Sequence, residues 1–106
     1  MKSLRFDIYL PLFYNDKKKV EPYKFVDTFQ ELTTRFCGCS YDENNMIGAW
    51  IDKETNQQFA DQNRVYHVVC KSTVDNKKWM REYKQQLADR FKQLEIFMYY
   101  IEVYKF

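Results

Sequence analysis

The stretch LRFDIYLPLFY, residues 4–14, alternates strictly. Leu4, Phe6, Ile8 and Leu10 fall on one side, and Arg5, Asp7, Tyr9 and Pro11 on the other. A period of two is the signature of a strand with one buried face. The chain therefore opens on a strand, and each later segment must find its place against it.

Working outward, NDKKKVE (15–21) is a polar loop with Lys17, Lys18 and Lys19 as its solvated crest. Pro22 is suited to a first helical position, and Phe25, Val26, Phe29, Leu32 and Phe36 follow at helical spacing. Gly38 is the expected left-handed stop. MIGAWID (46–52) and RVYHVVCK (64–71) read as strands, joined by a long polar hairpin connection over 52–63. Gly48 and Trp50 share a strand face, where the glycine leaves room for a ring or another backbone.

Asp75 or Asn76 is the expected N-cap of a second helix. That helix carries Trp79, Met80, Tyr83, Leu87, Phe91 and Leu94 on one face and a charged opposite face. IFMYYIEVYKF (96–106) is dense in β-branched and aromatic residues and reads as the last strand. The order β-α-β-β-α-β predicts an α+β, ferredoxin-like domain spanning 1–106. Its sheet is expected to be four-stranded, antiparallel and in the order 4-1-3-2, with two helices on one face.

The whole chain is 106 residues, enough for one two-layer core. It is 45% hydrophobic, with nine Tyr, nine Phe and two Trp, and this aromatic share can supply most of a small core. A net charge of +2 gives no argument for nucleic acid or membrane as partner. Lys2, Arg5 and Asp7 interrupt the apolar run that a secretory leader would need, and no apolar stretch reaches membrane-spanning length. Three cysteines, an odd count, suit a reducing compartment, so a cytoplasmic protein is expected.

The helix-free sheet face is the natural place for function. Apolarity sends Leu4, Phe6, Ile8, Leu10, Tyr66, Val68, Cys70, Phe97, Tyr99, Ile101 and Val103 toward the helices. It leaves Tyr9, Val65, His67, Val69, Met98, Tyr100 and Tyr104 outside, with Asp7 and Glu102 among them. So large an apolar face suits burial against a second copy. The leading expectation is a non-enzymatic interaction module that homodimerises through this face, with the 15–21 and 52–63 loops open to a protein partner.

Two other classes compete. Ile8-Tyr9-Leu10 has the look of one RNA-recognition strand, but RVYHVVCK lacks the glycines and spaced aromatics of its companion motif. Single-stranded nucleic acid is thus the weaker alternative. A small enzyme would use His67, the sole histidine, with Asp7 or Glu102 fixing its tautomer. No nucleophile or phosphate loop accompanies these candidates, since the only glycines are Gly38 and Gly48. No cofactor is expected.

Cys37, Cys39, His67 and Cys70 are the right residue types for zinc. The C-x-C spacing is wrong for a knuckle, and His67 and Cys70 fall on opposite strand faces, so no metal site is expected. A redox pair would want C-x-x-C at a helix start, whereas Cys37 follows a helix end.

RFCGCS (35–40), IGAWID (47–52) and FADQNRVYHVV (59–69) together resemble a group of small bacterial proteins with the pattern F-G-G-x-T, then G-x-W, then an acidic residue. The match runs through Phe36, Gly38, Ser40, Gly48, Trp50 and Asp61, with Pro11, Leu12, Tyr14, Asn15 and Asp16 also similar. Cys37 stands where the pattern has its first glycine and Ser40 where it has threonine. The resemblance implies the ferredoxin-like fold and argues against a catalytic role for Cys37.

Overall fold

A computed structural model describes residues 2–106, so Met1 of the expected 1–106 domain lies outside the described residues. The elements are β1 (Lys2–Pro11), α1 (Pro22–Phe36), β2 (Ser40–Tyr41), β3 (Met46–Ile51), β4 (Gln58–Lys71), α2 (Val74–Arg90) and β5 (Met98–Tyr104). β1 is central, antiparallel to β4 on one side and to β5 on the other. Its even-numbered residues, Leu4, Phe6, Ile8 and Leu10, are at most 4% exposed. They share a core with Phe25 and Leu32 of α1 and with Met80, Tyr83 and Leu87 of α2.

The sheet differs from the expected 4-1-3-2 arrangement. It has five strands in the order β2-β4-β1-β5, with β3 also pairing β4. The cause is the length of β4, fourteen residues, whose outer edge seats two short strands in succession. β2 lies opposite Tyr66 and His67, and β3 lies opposite residues 58–63.

The expected connection over 52–63 is thereby mostly strand. The turn is confined to Asp52–Gln57, closed by Asp52 N–H to the Gln57 carbonyl (2.9 Å) and Asn56 N–H to the Asp52 carbonyl (2.7 Å). Every residue of β3 is exposed, so this hairpin arm meets solvent on both sides and shows no period-two hydrophobicity to betray it. The arm explains a radius of gyration of 14.7 Å, above the roughly 13 Å of a compact chain this long. A Cβ added to Gly48 would meet nothing within 4 Å among the described residues, so no ring or backbone approaches it as expected.

α1 has the expected bounds, but its left-handed terminator is Cys37 (φ 61°), not Gly38. An L-residue there carries a backbone cost that glycine does not. Cys37→Gly is expected to raise stability by about 0.5–1 kcal/mol, read as a higher urea midpoint at unchanged slope. α2 is capped by Thr73, whose hydroxyl accepts from the Asn76 N–H at 3.1 Å, ahead of the expected Asp75 or Asn76. Leu94 lies beyond the helix and is fully exposed.

The face of β5 is the reverse of expectation. Met98, Tyr100, Glu102 and Tyr104 lie opposite Ile8, Phe6, Leu4 and Lys2, and so share the helix side. The Tyr100 ring sits 5.3 Å from Phe6, with Lys77 of α2 5.5 Å from its centre. Both sides of β5 carry large apolar residues, so apolarity could not orient it; pairing to β1 does.

Candidate functional site

The helix-free face brings together part of the expected set. Arg5, Asp7 and Tyr9 of β1, Val65, His67 and Val69 of β4 and Tyr99 of β5 lie on it. Glu102, Met98, Tyr100 and Tyr104 do not; Glu102 instead pairs with Lys2 at 2.9 Å. Asp7 is 2% exposed and holds His67 Nδ1 at 2.8 Å and Arg5 Nε at 3.0 Å.

An ionised carboxylate only accepts, so His67 Nδ1–H donates to Asp7. Burial pushes the Asp7 carboxyl up, but hydrogen bonds from His67, Tyr99 and Arg5 outweigh it and hold the group below its usual range. The Tyr99 hydroxyl is raised by its hydrogen bonds with Tyr9 and with Asp7. Tyr9, Phe97 and Tyr99 cluster beside the carboxylate with ring centres 5.0–6.1 Å apart. The arrangement ties three strands together.

A cleft opens on the other side of the sheet, between α1, the β1–α1 connection, β2 and the middle of β4. Its volume is about 700 Å³, within the roughly 300–1,000 Å³ of small-molecule sites. Neither Asp7 nor His67 lines it. Its walls are rings. Tyr41 stacks on Tyr66 at 5.0 Å and 16°, and Phe29 meets Tyr41 edge-on at 5.3 Å. The Tyr66 hydroxyl donates to the Phe25 carbonyl at 3.1 Å, which fixes its ring, and burial pushes it up to about 12. At the rim, Gln30, Asn45 and Gln62 offer amides.

Arg64 reaches this cleft because it lies opposite Leu10, on the core-facing side of β4. Its guanidinium lies 4.7 Å from the centre of the Phe25 ring and 5.1 Å from that of Tyr41. Among the described residues no carboxylate pairs with it, and its buried Nε has no hydrogen-bond partner. Lys19 also lines the cleft, and among the described residues no acidic one does.

Sequence reasoning passed over the cleft. The signal was present in RVYHVVCK, where period two places Arg64 with Tyr66, Val68 and Cys70. A cation in a core-facing register needs a reason. Cys39 and Cys70 are poor nucleophiles: burial pushes Cys39 up to about 11 and also raises Cys70.

Among the described residues no helix is long and apolar enough to cross a membrane. No protein-family model and no curated protein matches the sequence. The fold is similar to that of a phage SAM (S-adenosylmethionine) lyase in complex with S-methyl-5'-thioadenosine, with a TM-score of 0.69 and 13% identity. The match covers 94% of this chain and 81% of the lyase chain. This finding corrects the expectation of a non-enzymatic module homodimerising through the helix-free face: over nearly the whole chain the fold is one that a phage enzyme also has.

Proposed function

We propose that this ferredoxin-like chain is a cytoplasmic enzyme that cleaves S-adenosylmethionine in the α1–β4 cleft and releases S-methyl-5'-thioadenosine. The observation that carries this reading is the cleft itself, a ring-walled space of about 700 Å³ with amides at its rim. A purine suits such a place. Its face can stack on one wall ring, Tyr41, while its edge meets the near-perpendicular Phe29, and the rim amides of Gln30, Asn45 and Gln62 can both donate to and accept from the base edge. The likeness of fold to a SAM lyase supports the choice of ligand.

The chemistry asks little of the protein. The bond between the sulfonium sulfur and the γ-carbon of the amino-acid portion breaks, and its electron pair stays on sulfur as a neutral thioether. The substrate's own carboxylate forms a bond to that carbon and closes a five-membered lactone. No water is consumed and no proton moves, so the raised thiols of Cys39 and Cys70 are no obstacle. Two effects then supply rate. The walls hold the carboxylate near the carbon it attacks. A cleft with Lys19 and Arg64 but no acid among the described residues offers the sulfonium no carboxylate partner, and that cost disappears as the charge is discharged.

The test is to incubate the purified protein with S-adenosylmethionine and follow S-methyl-5'-thioadenosine by chromatography. Enzyme-dependent release, reduced at least tenfold in Tyr41→Ala, is expected. Turnover no faster than the spontaneous breakdown of the sulfonium overturns the reading.

A further inference from the structure

We infer that Arg64 is the anchor for the ligand's carboxylate, and so decides that the cleft takes an adenosyl compound bearing an amino-acid end; this rests on the reading of the cleft given above. Arg64 Nε is buried without a partner among the described residues, a costly state for a donor of a charged group. The charge is held on purpose rather than left to solvent, because Phe25 and Tyr41 grip the guanidinium at 4.7 and 5.1 Å.

A guanidinium so fixed, in a cleft that Lys19 also lines and that no acid among the described residues lines, calls for an anion from the ligand. Of the two ends of S-adenosylmethionine, only the amino-acid end has one. One N–H donated to one carboxylate oxygen leaves the other free to close on the γ-carbon. The thioether product has lost the carboxylate and therefore loses this contact, which favours its exit over the substrate's.

The experiment compares binding of S-adenosylhomocysteine, which keeps the carboxylate but has no sulfonium to cleave, with binding of S-methyl-5'-thioadenosine, which has no carboxylate. In Arg64→Gln the first is expected to weaken about tenfold or more, the value of one charge-assisted hydrogen bond, and the second to change less than twofold. Arg64→Lys keeps a charge but loses Nε and should fall between. Independently of any variant, the carboxamide of S-adenosylhomocysteine should bind the unaltered protein about tenfold more weakly than the acid.

Equal weakening of both ligands in Arg64→Gln would make Arg64 a support of the cleft wall and overturn the inference. So would an amide that binds as well as the acid. If the unaltered protein binds the thioether product but not S-adenosylhomocysteine, the anchor fails while the cleft reading stands. If it binds neither, both fall.

Discussion

Phe91→Ala is expected to remove about 3–5 kcal/mol of stability, the usual cost of deleting a fully buried aromatic ring. Phe91 is 0% exposed and ends α2, where its N–H donates to the Leu87 carbonyl at 2.9 Å. Its ring meets Phe25 edge-on at 5.3 Å, and Phe25 in turn lies under Arg64. Few neighbours are free to fill the gap. Lys24 is already held to the Arg90 carbonyl at 2.8 Å, and Arg90 is held to Glu31 and Thr28 at 2.8–2.9 Å. For a domain of this size the melting temperature should fall by roughly 12 °C or more, followed by circular dichroism. A loss below about 1 kcal/mol would mean that the space closes up and that the helices are looser than this contact network implies.

Asp7→Ala is expected to cost about 2–4 kcal/mol, toward the lower part of what breaking a buried ion pair does. The truncation strands Arg5, His67 and Tyr99 together, but the Arg5 and His67 side chains are 39% and 38% exposed and water can reach them. The pH dependence follows from the depressed carboxyl. Its folded value lies below the ordinary 3.8, so the native state favours the charged form. Its contribution is complete above the unfolded value and is lost as pH falls through the folded one. Urea titrations at about pH 3 and pH 7 should therefore show a smaller acid loss in Asp7→Asn than in the unaltered protein. An equal acid loss in both would show that other carboxylates carry it.

The central strand and the helices were legible in the sequence because each has one strongly apolar side. Leu4, Phe6, Ile8 and Leu10 alternate with polar partners and are buried; Pro22 opens α1, and its stripe closes at Phe36. Met80, Tyr83 and Leu87 mark the inner face of α2. The pairing of Asp7 with His67 was legible too, as opposite positions on adjoining strands.

What only the tertiary structure decided lies where that asymmetry is missing. On β5, Tyr99 and Tyr100 are both large aromatics, and the register against Asp7 and Phe6 alone sends the first to the open face and the second to the helices. The hairpin arm is exposed on both sides, so the strand from Gln58 read as loop. The left-handed turn fell on Cys37 beside an available Gly38, because the position where α1 ends is set by the packing of Phe36 rather than by the nearest glycine. The cleft depends on all of these at once. Tyr41 from a two-residue strand, Phe25 and Phe29 from α1 and Arg64 from β4 are far apart in sequence. A period shows which side of its own element a residue takes; only the pairing of elements shows what it will face.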